Sequence, residues 1–166
     1  MSVAKVMLAE LELEGVATRK VLERMPDDKF GWKPHEKSME LGKLASHVSD
    51  IASWVAMTVE QDELDLAKGA PNFSAANAAE LVAHFDQGMA SAKRVLENTS
   101  DADLKKHWRM IMGEMVLIDL PKDETLRRWV LNHMVHHRAQ LTVYMRLNDV
   151  AVPAVYGSSA DENELE

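Results

Sequence analysis

The sequence predicts an all-α protein folded as a single four-helix bundle, and three observations support this. The 166 residues are enough for one ordinary domain with its own hydrophobic core. Four long segments carry apolar residues at three- and four-residue spacing, which is typical of helices that each bury one stripe. The chain shows no internal repeat, low-complexity run or linker long enough to separate two domains. We therefore expect one bundle over residues 1–150, with residues 151–166 forming a C-terminal segment and acidic tail of the same domain.

The first two helices are predicted on either side of a turn-rich stretch, residues 26–37. The first should run from about Ser2 to Met25 and stop before a proline, which disfavours helix in the residue that precedes it. The second should run from about Ser38 to Leu66. Its core stripe is formed by Leu44, His47, Val48, Ile51, Trp54 and Val55.

A third helix is predicted after the break in the chain at Gly69, Pro71 and Asn72. Ser74 is its expected N-cap, because a serine hydroxyl can accept a hydrogen bond from a free N–H of the first turn. The periodic apolar positions continue to about Asn98.

The segment between the third and last helices allows more than one assignment. Residues 100–106 are expected to form one short helical turn. Residues 108–120 are apolar around a central Gly113 and fit a short hairpin, a connector helix or an apolar loop, so all three stay open. Asp123 is expected to cap the last helix, which should reach about Asn148.

Composition argues against several classes of function. Cysteine is absent, which excludes disulfides, thiolate metal sites and a cysteine nucleophile. No run is long and apolar enough to span a membrane, and the acidic N-terminal stretch is unlike a signal peptide, so we expect a cytoplasmic protein. The net charge of -8, without a stripe of lysine and arginine, argues against nucleic-acid binding.

Three of the seven histidines face the predicted core. His133 and His137 lie four residues apart in the middle of the apolar stripe of the last helix, and His47 lies in the stripe of the second helix. Two imidazoles one turn apart can converge on one ion, and a third from another helix would complete a site with positions left open for water or substrate. We therefore predict a divalent transition metal at these residues. The pattern alone leaves open a second interpretation, in which they are hydrogen-bonded core residues.

Residues next to this stripe are candidates for a substrate pocket. Gln140 follows His137 by one turn and could orient a ligand or substrate, and His136 lies at the margin of the stripe. Tyr156 lies beside turn residues after the last helix and could wall a pocket. We therefore predict Tyr156, Gln140 and His136 as pocket residues. Arg138 points away from the histidines on the helical wheel, and we expect it to meet solvent or a partner subunit.

Three stretches of the sequence resemble the DinB family of damage-inducible bacterial proteins. Residues 132–141, NHMVHHRAQL, resemble the NHxxHHRxQL signature of that family. The family's sequence just before its first histidine, in the second helix, is similar to that of this chain, where WKP at residues 32–34 is followed by Ser38, Leu41, Leu44 and His47. Residues 152–162 resemble its YGPSADE ending. The resemblance therefore spans nearly the whole chain.

This resemblance implies an up-down-down-up four-helix bundle, commonly dimeric, in which His47, His133 and His137 bind nickel, zinc or iron. Members of the family and their structural relatives include thiol-dependent S-transferases, an isomerase that uses low-molecular-weight thiols, and metal-dependent hydrolases. We accordingly expect a homodimeric metal-dependent transferase or hydrolase that acts on a small molecule, with a low-molecular-weight thiol as a candidate cosubstrate. The alternative is a non-catalytic stress-response binding module whose metal is structural or absent.

Overall fold

The computed structural model describes residues 2–69 and 72–163, most of which are helical. Pro71 of the predicted chain break, and Glu164 and Glu166 of the predicted acidic tail, lie outside the described residues. Within the described ranges, no helix combines the length and the apolar character that crossing a membrane requires.

The first predicted helix is confirmed as α1, Val3–Glu23. It begins after Ser2, whose hydroxyl accepts a hydrogen bond of 3.3 Å from the backbone N–H of Lys5. A short 3-10 turn, Asp27–Lys29, follows it. The buried side chains of α1 recur at helical spacing and include Ala4, Met7, Leu11, Val21 and Leu22.

The second predicted helix is divided in the structure, so its prediction as one helix is wrong. α2 is Leu41–Ile51 and α3 is Trp54–Glu60. Between them the hydroxyl of Ser53 donates to the carbonyl oxygen of Asp50 at 2.7 Å, and serine competes locally with helix hydrogen bonds in this way. The break also lies close to a third helix, because a Cβ on Gly88 would be 3.0 Å from the backbone nitrogen of Ser53.

The third predicted helix is α4, Ala78–Glu97. Its N-cap is Asn77, whose side-chain oxygen accepts a hydrogen bond of 2.9 Å from the N–H of Glu80, so the predicted cap at Ser74 is wrong. A single-turn helix, α5 (Asp101–Leu104), confirms the short turn predicted after it.

The all-α prediction is confirmed only in part, because the mostly helical chain also contains a three-stranded sheet. β1 is Glu63–Asp65, β2 is His107–Met112 and β3 is Met115–Pro121. The strand order is β1-β2-β3, with β1 parallel to β2 and β2 antiparallel to β3. The hairpin of β2 and β3 turns at Gly113, whose φ of 61° favours glycine. A hairpin was one of the three conformations left open for residues 108–120, whereas β1 lies in a segment predicted to be helical.

The last predicted helix carries an irregularity just before its histidines. α6, Lys122–Leu126, begins directly after a proline, so the predicted cap at Asp123 is wrong. It continues through a π-helical segment, Arg127–Leu131, into α7, Asn132–Leu147. Short π segments insert one residue into an α-helix and are frequent at functional sites.

The hydrophobic core lies between α1, α2, α4 and α7. Both α1 and α2 contact α4 and α7, and the sheet contacts α6. One side of α7 therefore packs against α2, and another packs against α1. The up-down-down-up connectivity implied by the resemblance stays a prediction. The largest fully buried side chains include Leu11, Leu44, Ile51, Phe85, Met134 and Leu141.

Candidate metal centre

Three histidines from two helices converge in the structure. His47 lies on α2, and His133 and His137 lie one turn apart on α7. The Nε2 atom of His133 is 3.2 Å from Nε2 of His47 and 2.8 Å from Nε2 of His137. The candidate ligand atoms of the three residues all lie within 4.8 Å of one another. The three histidines could therefore hold a metal ion together.

The spacing of these nitrogen atoms suits a single ion. Two imidazole nitrogens that each lie about 2.1 Å from one ion are about 3.0–3.4 Å apart, depending on whether the coordination is octahedral or tetrahedral. The two measured contacts of 3.2 and 2.8 Å lie in this range or just below it. The third pair, His47 and His137, lies farther apart but still within 4.8 Å, so these two rings would have to move toward each other for all three to bind one ion.

The outer nitrogens of two of the rings have acceptors, which fixes the tautomer of each ring. Nδ1 of His133 lies 3.2 Å from the carbonyl oxygen of Trp129 in the π segment, and Nδ1 of His137 lies 2.7 Å from Oε1 of Gln140. Because both partners are acceptors, each Nδ1 carries the proton and each Nε2 presents a lone pair. The 2.8 Å contact between His133 and His137 therefore joins two lone pairs, an arrangement that a shared cation stabilises.

Burial keeps the three imidazoles neutral. The pKa of His47 is lowered from 6.5 to about 4, mainly by burial and further by the charges that His133 and His137 would carry. The pKa values of His133 and His137 are also lowered, again mainly by burial. Neutral imidazole is the form that binds metals, so these ligands do not have to lose protons at neutral pH.

Two tryptophans pack against the cluster. The Trp54 ring centroid lies 5.4 Å from that of His47 and 5.5 Å from that of His133, while the Trp129 centroid lies 6.2 Å from that of His133. Asp50 holds Trp54 in place by accepting a hydrogen bond of 2.9 Å from the indole N–H. Sequence analysis missed Asp50, although its position one turn after His47 and one turn before Trp54 was a usable signal.

A groove of about 560 Å³ opens beside His133, between β3 and the helical run of the π segment and α7. Its lining includes apolar side chains (Leu117, Ile118, Leu120) and polar ones (Arg128, Asn132, His136). His136 thus lies in the groove, and Nε2 of Gln140 lies 3.2 Å from Nε2 of His136. Because Gln140 also contacts His137, it links the groove to the cluster. The role of His136 and Gln140 in a substrate pocket stays a prediction.

The structure does not bring Tyr156 to the histidines. Its hydroxyl donates to Oε2 of Glu14 at 2.6 Å and accepts from Arg138. Arg138 is only 2% exposed and forms an ion pair of 2.7 Å with Glu14 on α1, so the prediction that it meets solvent or a partner subunit is wrong. Glu14 and Tyr156 are far from Arg138 in sequence, and no local pattern indicates this contact.

Comparisons with known proteins agree with the motifs and the fold. The model of the DinB family matches residues 1–165. The uncharacterized protein YrdA of Bacillus subtilis (strain 168) is 24% identical over 157 residues, which are 93% of this chain and 89% of that protein. The crystal structure of a DinB-like protein from Bacillus cereus ATCC 10987 has a TM-score of 0.73 at 20% identity, covering 90% of this chain and 95% of the other. That of the DinB-like protein YjoA from Bacillus subtilis has a TM-score of 0.69 at 17% identity, covering 90% and 96%.

Proposed function

The chain belongs to the DinB family, and from this membership we propose that it is a metal-dependent enzyme of the thiol S-transferase or hydrolase type. His47, His133 and His137 would hold a divalent nickel, zinc or iron ion. The substrate would be a small molecule, with a low-molecular-weight thiol as cosubstrate if the reaction is a transfer. A cytoplasmic location, a homodimeric state and a role in stress response belong to the same proposal.

The observation that carries this proposal is the direction of the histidine lone pairs. The protons on Nδ1 of His133 and His137 are engaged by Trp129 and Gln140, so the Nε2 atoms of these two residues have no proton to share between them. Core histidines that only stabilise the fold would be expected to find a hydrogen-bond donor for this second ring nitrogen, whereas here the Nε2 atoms of His133 and His137 face one another. A cation bound by three neutral imidazoles satisfies all of them together.

The surroundings of the cluster support a catalytic site more than a closed structural one. A divalent ion on three imidazoles keeps coordination positions for other ligands and supplies Lewis acidity, which lowers the pKa of a ligand water or thiol toward neutrality. The protein's own residues position the site: Gln140 and the Trp129 carbonyl orient two rings, and Asp50 holds Trp54 against the edge of His47. The groove beside His133 offers a small molecule an approach.

Elemental analysis of protein purified without a histidine tag tests the metal. We expect close to one metal ion per chain in the wild type and none in His133→Ala/His137→Ala. The matched control is His35→Ala/His107→Ala, which removes two exposed histidines and should keep the metal. Wild-type protein that takes up no metal after exposure to zinc, nickel and iron would refute the proposal.

A panel of thiol-transfer and ester substrates, assayed with metal-loaded protein, tests the reaction. We expect turnover in the wild type and in His35→Ala, which changes an exposed histidine away from the groove, and loss of turnover after chelation or in His133→Ala/His137→Ala. Circular dichroism should show that the chelated protein remains folded. If chelation unfolds the protein and no substrate is turned over, the metal has a structural role.

A second candidate function, a non-catalytic stress-response binding module, is favoured by the hairpin surface. Apolar patches on a surface often mark contacts with other proteins, and β3 is an edge strand of the sheet, open to pairing with another chain. The same surface could join two copies of the chain. Light scattering after gel filtration should then show a dimer that Val116→Glu dissociates, while metal content is unchanged. The exposed apolar side chains of the hairpin are Met112, Met115, Val116 and Leu117.

A further inference from the structure

The groove beside the metal centre contains an arginine that has no acidic partner among the described residues. From it we infer the class of ligand: we propose that the groove binds a small molecule with a single carboxylate on an apolar body, and that Arg128 binds the carboxylate. This inference rests on the proposed function, because it places that molecule as substrate at the open side of the histidine cluster.

Arg128 differs from the other arginines of the chain. The protein is acidic, with 27 aspartate and glutamate residues against 19 lysines and arginines. Across residues 2–69 and 72–163, Arg128 alone of the eight arginines forms no ion pair; its neighbour Arg127, for example, pairs with Glu10 on α1. The paired arginines are Arg19, Arg24, Arg94, Arg109, Arg127, Arg138 and Arg146. Acids of the chain thus pair with each of these seven arginines. The charge of Arg128, beside the histidines, has no such partner in the described structure and can bind an external anion.

The groove places this charge next to the cluster. Arg128, Asn132 and His136 follow one another at four-residue spacing along the helical run, and all three line the groove and are exposed. Trp129 and His133, each one residue further along the chain, lie beside this polar row and line the groove too. A molecule whose carboxylate is bound at Arg128 can therefore lay its apolar body along the groove toward His133. The opposite wall offers apolar contacts from Leu117, Ile118 and Leu120 of β3.

The charges in the groove favour a carboxylate over a phosphate. The planar guanidinium fork matches the two oxygens of a carboxylate, and the amide of Asn132 can donate a further hydrogen bond. No lysine lines the groove to help neutralise a second negative charge. The groove's own carboxylate, Asp119, contacts Nδ1 of His107 at 2.6 Å and would repel a dianion more than a monoanion. Glu124 lies four residues before Arg128 but forms no ion pair with it in the described structure.

Binding of phenylacetate, measured by NMR titration of ¹⁵N-labelled protein, tests the inference. The indole N–H signal of Trp129, assigned with Trp129→Phe, reports binding in the groove. We expect the affinity for phenylacetate to fall about tenfold or more in Arg128→Gln, as loss of a charge-assisted bidentate contact implies. The matched control is Arg127→Gln, which removes the adjacent arginine that pairs with Glu10 and should leave the affinity within about twofold of wild type. Neutral phenylacetamide should bind weakly to all three proteins.

The titrations are made on both zinc-loaded and chelator-treated protein, so that failure of the inference and failure of the proposed function can be told apart. Equal affinity of wild type and Arg128→Gln for phenylacetate, or equal affinity of the wild type for phenylacetamide and phenylacetate, would overturn the inference. Tighter binding of inorganic phosphate than of phenylacetate would overturn the choice of carboxylate. Arginine-dependent binding in a protein that takes up no zinc, nickel or iron would support the anion site and refute the proposed metal-dependent function.

Discussion

Replacing Gln140 with alanine removes the acceptor that orients His137, and we expect this to weaken metal binding without removing a ligand. Oε1 of Gln140 lies 2.7 Å from Nδ1 of His137 and holds that ring in the tautomer that presents Nε2 to the cluster. In the variant the ring can take the other tautomer or rotate, so part of the binding free energy goes into restoring its orientation.

The expected loss lies near the lower end of the range for such partners, which is about 10- to 100-fold in metal affinity, or about 1.4–2.7 kcal/mol. Two features of the site limit it. Gln140 is half-buried, so water can replace part of its hydrogen bond. The His137 ring also stays packed against the rings of His47 and His136, whose centroids are 4.8 and 4.9 Å away. We therefore expect a loss of about tenfold for Gln140→Ala. Gln140→Glu should bind zinc at least as tightly as wild type, because a carboxylate is a stronger acceptor.

Competition with a chromophoric zinc chelator at constant pH measures these affinities. Gln87→Ala, at an exposed position on α4, is the matched control and should bind zinc like the wild type. Circular dichroism should show that all variants are folded. An affinity of Gln140→Ala within twofold of wild type, or a weaker affinity of Gln140→Glu than of Gln140→Ala, would refute the assigned role of Gln140.

Three further predictions concern stability. Zinc at about 100 times its Kd should add about 2.7 kcal/mol to the free energy of unfolding, or about 5–10 °C in Tm, and His133→Ala/His137→Ala should show no such shift. The metal-free protein should lose stability as the pH falls from 6.5 to about 4, because the pKa of His47 is lower in the folded chain and the unfolded chain therefore binds more protons. Urea unfolding at several pH values measures this, and His47→Gln should flatten the dependence. Arg138→Met should lower the free energy of unfolding by about 3 kcal/mol, because it leaves the mostly buried carboxylate of Glu14 without its cation, and Glu14→Gln added to it should recover part of the loss.

Each of these three predictions has a result that would contradict it. A zinc-dependent Tm shift that persists in the double histidine variant would mean that the ion binds elsewhere. A pH dependence that is unchanged by His47→Gln would mean that other groups cause it. Full stability of Arg138→Met in urea would mean that solvent reaches Glu14 more easily than its contacts indicate.

Local periodicity explains why the three histidines could be predicted from the sequence. His133 and His137 lie in the regular part of α7, after the π segment has ended, so a helical wheel drawn through them is valid. His47 lies within α2, before the break at Ser53, and the same construction holds there. The side to which each residue points is a property of its own helix and needs no knowledge of the rest of the fold.

The sheet could not be predicted by the same means. β1 is three residues long, too short to show a period of two, and its partners Arg109 to Ile111 lie far along the chain. β2 and β3 form a nearly continuous apolar run around Gly113, and such a run does not distinguish a strand from a buried helix. The hairpin of β2 and β3 is local and stayed among the open alternatives, whereas the place of β1 depends on pairing with a distant segment, which a single sequence does not reveal.

Three arginines of the last helical run have surroundings that the sequence alone could not predict. A wheel correctly places Arg138 away from the histidines, but α7 has a second buried side, and there Arg138 meets Glu14, 124 positions earlier in the chain. Arg127 similarly finds Glu10 on α1. Arg128 lies next to Arg127 but lines the groove opposite β3, where the chain supplies apolar side chains and no acid that pairs with it. Because the other seven arginines are each paired with an acid of the described chain, the guanidinium of Arg128 is the one at which an anion from outside meets no competing carboxylate.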